Sequence, residues 1–333
     1  MRPVQIFLTH PPEALQNYYG KKALAQLEAV GKVVVNPLGR VLSARELINA
    51  AQGCQIIISE RQTPGERIVF DSLPDLVAFA RVAVDIRNID VEAASANGVL
   101  VTHASPGFVQ SVAEWVIGAM IDLAWHTSHY TSAYRQGRVP EARMGVQLAG
   151  STLGVIGYGA IGRYVCRLGL AMGMRVLVDD PYVRVEDPSL TQVDLDRLLE
   201  ESDFVVCLAV ANAETEGVLG PSQFARMRPT AYFINASRGN LVDEAALARA
   251  LDEGRIAGAA LDVGRAPDQM PSPELARRDN VVATPHVAGL TLPAVEHQAL
   301  ETVRQAAEIA QGCVPKGAVN PDRAVRLARL RRA

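Results

Sequence analysis

Leu153-Gly154-Val155-Ile156-Gly157-Tyr158-Gly159-Ala160-Ile161-Gly162 is the stretch on which the fold turns. A short apolar run enters three glycines spaced Gly-x-Gly-x-x-Gly, and a segment with helical periodicity, 162–171, follows at once. In such a strand–turn–helix the first glycine permits the tight turn and the second lets backbone approach a pyrophosphate. The third lets helix and strand pack closely. The helix N-terminal amides then favour the negative phosphates. The motif alone is weak, because glycine is common at turns; its context gives it force. A second apolar strand, 174–178, ends in Asp179-Asp180 about twenty residues on, where an acid is expected on the adenosine ribose. Asp180 fills that place. Its charge would repel a 2′-phosphate, so NAD is favoured over NADP. The bland alternative is a glycine turn in a doubly wound fold that binds no nucleotide.

Outward from this motif, short apolar runs alternate with helix-period segments along nearly the whole chain. One strand series reads 5–8, 33–35, 55–58, 76–79 and 100–102. A second reads 152–156, 175–178, 204–208, 231–234, 258–262 and 281–283. Between them, segments such as 22–30, 44–51, 162–171, 194–200 and 244–253 place apolar residues at i, i+3 and i+4. Nearly continuous apolar strands alternating with helices predict α/β architecture: two doubly wound parallel sheets, each covered by helices on both faces. The 333-residue length suits two domains. The apolar segment 111–125 leaves the first series and enters the second, and reads as an interdomain helix. The helix pattern at 293–311 is expected to return to the first domain, making that domain discontinuous.

Composition excludes several function classes. The formal net charge of -3 gives no electrostatic footprint for nucleic acid or an anionic membrane. Glu114 and Asp122 interrupt the most apolar helix, which is too short and too polar to span a bilayer. Met1 leads directly into the first strand, so no targeting segment is expected ahead of the fold. The basic tail Arg323, Arg326, Arg329, Arg331 and Arg332 reads as a solvated chain end. Cys54, Cys166, Cys207 and Cys313 form no CxxC pair and read as small hydrophobes in a reducing cytoplasm, with no metal site.

Two further spots suggest catalysis. The strand 231–234 ends in Asn235-Ala236-Ser237-Arg238-Gly239, and an arginine at the carboxyl end of a parallel strand faces the crevice where such sheets bind ligands. Its planar fork suits a carboxylate and can polarise a neighbouring carbonyl. Thr284-Pro285-His286 ends the strand 281–283, and a histidine there could protonate an oxygen that becomes a hydroxyl. A surface arginine capping a helix and a structural hinge histidine are the competing readings. His10, His103, His126, His129 and His297 lack comparable context.

At this point the chain resembles the D-isomer-specific 2-hydroxyacid dehydrogenase family. The resemblance runs through Ser111-Val112-Ala113-Glu114, the glycine motif, Asp180-Pro181-Tyr182, Asn235-Ala236-Ser237-Arg238-Gly239 and Val242-Asp243-Glu244. It continues through Ala246-Leu247, Ala257-Gly258-Ala259-Ala260-Leu261-Asp262-Val263, Thr284-Pro285-His286 and Asn320-Pro321. It implies a Rossmann-type NAD domain, 104–288, inserted in a flavodoxin-like substrate domain formed by 1–103 and 289–333. It also implies hydride transfer between nicotinamide and C2 of a small 2-hydroxy or 2-oxo acid, and a homodimer built on the coenzyme domains. Arg238 would hold and polarise substrate, His286 would serve as acid/base, and Asp262 would contact the nicotinamide carboxamide. Gly157, Tyr158, Gly159, Ala160, Ile161, Gly162, Asp180, Pro181, Val210, Ala236, Ser237 and His286 would line the coenzyme.

The sequence departs from the family pattern twice. The family carries a Glu before a proline after the Asp-Val pair, and that Glu orients and charges the catalytic histidine. Here Asp262-Val263-Gly264-Arg265-Ala266-Pro267-Asp268 offers no acid at 266 or 267. Losing that carboxylate is expected to weaken the imidazolium and loosen its tautomer, with Asp268 as the nearest substitute partner. The family also presents a Gly-x-Gly whose amides bind the substrate carboxylate. Here Ala83 and Asp85 stand at the glycine positions. Val82 and Ala83 remain the expected substrate-side amides, with Arg81 or Arg87 as compensating cations, and an altered substrate scope follows. A regulatory NAD(H)-binding protein with lost catalysis, or a dehydrogenase of a non-hydroxy-acid donor, are the rival functions.

Overall fold

The computed structural model describes residues 3–331; Met1 and Arg332, both used above, lie outside the described residues. The chain divides into two compact units. One runs to Phe108 and resumes at Thr291; the other spans Val109–Leu290.

In the first unit β1 (Gln5–Leu8), β2 (Lys32–Val35), β3 (Ile56–Ser59), β4 (Ala78–Arg81) and β5 (Leu100–His103) form one parallel sheet in the order β2-β1-β3-β4-β5. That is the flavodoxin-like order, in which the strand order reverses beside the first strand. Side chains alternate across the sheet, so neighbours in sequence serve opposite layers. Ile6, Leu8, Ile56 and Ile58 pack with Leu27 of the helix Gly20–Val30 and with Ala299, Val303 and Ile309 of Leu292–Ala310. Phe7, Ile57, Phe79 and Val101 pack on the other face against Leu47, Val69, Phe70 and Ala93. Burial on both faces is why β3 and β4 read as unbroken apolar runs. His10, past the end of β1, is buried against Tyr19, and burial with the nearby Arg81 charge lowers its pKa to about 3, so the imidazole is neutral.

The second unit holds β6 (Thr152–Ile156), β7 (Arg175–Asp179), β8 (Thr191–Gln192), β9 (Phe204–Cys207), β10 (Tyr232–Asn235), β11 (Gly258–Leu261) and β12 (Val281–Ala283). They run parallel in the order β12-β11-β10-β9-β6-β7-β8. Numbered within the unit, the order is the dinucleotide-binding one extended by a seventh strand, and it reverses between β6 and β9. The helix Val109–Trp125 belongs to this unit, where Val112, Ala113, Val116, Met120, Leu123 and Ala124 are buried. Among the described residues no helix is long and apolar enough to cross a membrane. The two-residue β8 and the helices Pro12–Tyr18, Arg67–Ser72 and Thr127–Arg135 escaped the sequence reading; Pro12–Tyr18 buries no residue and Thr127–Arg135 only Ala133, so neither carries a clear apolar stripe.

Within the described residues the basic tail is tied to the first unit, which corrects in part the reading of a solvated end. Arg326 Nη1 donates to the carbonyls of Leu73 and Leu76, both at 2.9 Å, and Arg329 Nη1 donates to Pro74 O at 2.8 Å. Arg323 pairs with Glu92 at 2.7 Å, and Leu327 is buried in the first unit's core. Arg326 and Arg329 satisfy carbonyls at a loop, a use that charge counting cannot reveal.

Just before the tail, the buried Asn320 accepts from Val101 N–H at 2.8 Å. Its amide donates to Ser95 Oγ at 2.8 Å and Val99 O at 2.9 Å. Asn320→Ala strands a buried backbone N–H, so a loss of about 1–3 kcal/mol is expected in urea denaturation followed by tryptophan-independent far-UV signal. An unchanged midpoint would show the network to be dispensable.

Candidate active site

The glycine loop sits at the carboxyl edge of β6. Gly157 has φ +97°, and a Cβ there would stand 2.8 Å from Ala209 N and Leu208 O. At Gly162 an added Cβ would stand 2.1 Å from Gly157 O, so helix and turn touch directly. Gly159 differs: an added Cβ would meet nothing within 4 Å. The second glycine therefore opens onto free space at the N-terminus of the helix Ala160–Ala171, the place where a pyrophosphate needs bare backbone. The cradle fits a dinucleotide. Ala160 is exposed and Ile161 partly buried against the core, while Tyr158 is buried with the Arg163 guanidinium 4.3 Å from its ring centre.

Asp180 closes the loop. Its Oδ2 accepts from Tyr158 N–H at 2.7 Å, and its Oδ1 accepts from the N–H groups of Tyr182 and Val183 at 2.9 and 3.0 Å. Pro181 is exposed beside it. Asp179, which the sequence reading left aside, has its carbonyl accepting from Gly157 N–H at 2.8 Å. Burial, reinforced by Asp180 and Asp194, raises its carboxyl pKa to about 6.

Three neighbouring strand ends supply the rest. After β10, Ser237 Oγ donates to Ala209 O at 2.6 Å, which ties this turn to the segment carrying the exposed Val210. Ala236 packs against the core. Asn235 Oδ1 accepts from Ser237 N–H and its amide donates to Arg238 O, both near 3 Å, fixing the turn that presents Arg238. Arg238 Nη1 donates to Ser237 O at 2.8 Å. Gly239 is required here: a Cβ would stand 2.1 Å from Gly264 O.

After β11, Asp262 is 2% exposed, and its carboxylate accepts from Thr284 Oγ1 at 2.6 Å and from Val287 and Ala288 N–H at 2.8 Å each. Its own carbonyl accepts from His286 N–H at 2.9 Å. Asp262 thus grips the loop after β12. That grip holds His286 at φ +56°. The hydrogen bond at His286 Nδ1 runs to the main-chain carbonyl of Asp268 at 2.9 Å, where the sequence reading expected the Asp268 carboxylate. Asp268 and Gln269 also have left-handed φ, +57° and +58°.

In the first unit the loop after β4 departs from expectation. Val82 N–H donates to Ser59 O at 2.9 Å, continuing the β3–β4 ladder, so it is committed within the sheet and not offered to substrate. Ala83 is buried beside it. Arg81 is fully buried; Nη1 donates to Glu60 O, and Nη2 to Thr63 O at 3.0 Å and Asn88 Oδ1 at 2.7 Å. Arg87 Nη2 lies 2.6 Å from Asp85 Oδ2, with Nε on the same carboxylate. Arg81 acts as a structural cation, and Arg87 offsets the charge that Asp85 introduces.

Residues 117–288 match the NAD-binding domain of the D-isomer specific 2-hydroxyacid dehydrogenases. The chain is 34% identical over 283 residues to D-3-phosphoglycerate dehydrogenase of Archaeoglobus fulgidus, covering 84% of this chain and 54% of the relative. It is 32% identical over 289 residues to glyoxylate reductase of Korarchaeum cryptofilum, covering 84% and 87%. The crystal structure of D-lactate dehydrogenase with NAD+ from Lactobacillus jensenii superposes with TM-score 0.82 at 26% identity, covering 95% of this chain and 99% of that one. The chain belongs to the D-isomer specific 2-hydroxyacid dehydrogenase family, and its second unit is that family's NAD-binding domain. It spans about half the length of the D-3-phosphoglycerate dehydrogenases it matches, 54% and 57% of the two archaeal proteins.

Asp179 gives a pH-dependent expectation. Its folded pKa lies above the unfolded value, so the native state binds the proton more tightly and ionisation costs stability. The penalty grows as pH rises from about 4 and is complete above about 6. Asp179→Asn is therefore expected to raise the thermal midpoint at pH 8 and leave it unchanged at pH 4. Equal effects at both pH values would refute the assignment.

Proposed function

We propose that this chain is an NAD-dependent oxidoreductase that passes hydride between nicotinamide and C2 of a 2-hydroxy or 2-oxo acid. The observation that carries the reading is the convergence of three adjacent strand ends. β10, β11 and β12 deliver Arg238, the Asp262 clamp and His286 to the carboxyl edge that also bears the glycine cradle. NAD, when bound, supplies or accepts the hydride. Arg238 holds the substrate carboxylate and polarises the C2 carbonyl, acting where negative charge develops. His286 gives its Nε2 proton to the carbonyl oxygen as the C=O π bond opens and the C2–H bond forms; in oxidation it takes the hydroxyl proton back. Asp180 favours NAD over NADP by facing the ribose. The names of relatives, among them glyoxylate and hydroxypyruvate reductases and phosphoglycerate dehydrogenases, support a small 2-oxo acid as the substrate class.

The enzyme is further read as a cytoplasmic homodimer formed by its second unit. Trp125, Tyr134, Val139 and Met144 are large apolar side chains left 55–92% exposed there, more than an isolated domain usually leaves in one region. Sedimentation equilibrium returning a monomer would remove this part of the reading.

Initial rates of NADH oxidation against a panel from glyoxylate to aromatic and dicarboxylic 2-oxo acids test the activity. Arg238→Ala and His286→Ala are each expected to lower kcat/KM by at least about 10²-fold, the lower range for a positioned proton donor or anion clamp. Tight NADH binding without turnover on any member would favour a regulatory NAD(H)-binding protein, the reading to which the missing acid at 266 and 267 lends weight.

A further inference from the structure

Proton transfer by a histidine depends on which ring nitrogen carries the hydrogen, and that is fixed by whatever the other nitrogen bonds. His286 Nδ1 meets a main-chain acceptor, Asp268 O, at 2.9 Å. This carbonyl is aimed by backbone conformation. Asp268 and Gln269 lie consecutively at φ +57° and +58°, a region that side-chain-bearing residues rarely enter and that Asp and Asn tolerate best. The turn is closed on both sides of the pair, since Gly264 N–H donates to Gln269 O at 2.8 Å and Ala266 N–H donates to Met270 O at 3.0 Å. Its base is fixed as well: Arg265 N–H donates to Glu244 Oε1 at 2.8 Å, and the Arg265 guanidinium pairs with Glu216 at 2.7 Å. From the opposite side the Asp262 clamp holds His286 itself in the left-handed region. Strain of this kind persists only where surrounding structure enforces it, and it gathers at functional sites.

We infer that the main-chain carbonyl of Asp268, aimed by the left-handed pair Asp268–Gln269, is the positioning group that fixes the His286 tautomer. Nδ1–H donates to that carbonyl, so Nε2 is left to carry and release the transferred proton. The inference rests on His286 being the proton donor of the proposed reaction. It turns the absence of an acid at 266 and 267 from a defect into a substitution: a neutral acceptor set by a strained turn in place of a charged one set by a side chain.

Three substitutions at one exposed position separate backbone from carboxylate. Asn and Gly both accept left-handed φ and both remove the charge; Val is β-branched and resists that conformation. The full-length chain, labelled with ring-15N histidine and assigned with His286→Gln, reports the tautomer by NMR, and steady-state kinetics report kcat and KM. Asp268→Asn and Asp268→Gly are expected to keep the Nδ1–H tautomer. Asp268→Val is expected to mix the tautomers and lower kcat roughly tenfold with KM little changed, part of the about 10²–10⁴ that a positioned proton donor contributes. An Nε2–H tautomer in the parent, or mixed tautomers in Asp268→Asn, would overturn the inference and return the role to the carboxylate. So would Asp268→Val behaving like the parent in both measurements. Turnover that survives in His286→Ala would instead sink the proton-donor reading, and the tautomer spectrum would still decide the geometry.

Discussion

Everything proposed for the second unit depends on one buried carboxylate. Asp262 leaves the carboxyl end of β11 with almost no solvent exposure, and it accepts from one hydroxyl and two backbone N–H groups of the segment 284–288. A buried carboxylate is tolerable only when such donors surround it, and here all three come from the loop that carries His286. Satisfying the charge and positioning the histidine are one event. The parallel ladder β10-β11-β12 sets the distance from that loop to the turn bearing Arg238, and the ladder through β9 sets the distance to the glycine cradle at β6. The sheet acts as a ruler and Asp262 as the pin that fastens the last loop to it.

The two parallel sheets and the cradle were legible because their signals are local and redundant. β6 reads as an apolar run, its glycines follow without a gap, and Asp180 closes the next strand at the expected distance. Gly157 and Gly162 show in space why the motif must be glycine, and Gly159 shows where it opens. Strands β3 and β4 were legible for a different reason: helices on both faces force unbroken apolar sequence. The two-residue β8 and the helices at 12–18 and 127–135 were not, since they bury almost no side chain and so carry no apolar stripe.

What the sequence hid are interactions carried by main chain. Nothing in Asp262-Val263-Gly264-Arg265-Ala266-Pro267-Asp268 announces that a carbonyl would face His286, because a carbonyl is common to every residue. The same holds for Val82, whose N–H continues a ladder, and for Arg326 and Arg329, whose guanidinium groups satisfy carbonyls at 73–76. Arg81 invited a functional reading by its charge; burial and three acceptors give it a structural one. A signal did exist in one place: Gly239 after Arg238 marks the close approach to Gly264.

The most direct measurement follows the hydride itself. NADH carrying deuterium at both C4 positions of the nicotinamide would be incubated with the best 2-oxo acid under single-turnover conditions, and the product analysed by mass spectrometry and proton NMR. Deuterium recovered at C2 of the 2-hydroxy acid, in one enantiomer and at one atom per turnover, is the result expected if the carboxyl edge of the second unit performs the proposed transfer. Product without label at C2, or label lost to solvent, would contradict it, because hydride would then not pass directly from nicotinamide to the carbon that Arg238 and His286 are argued to hold.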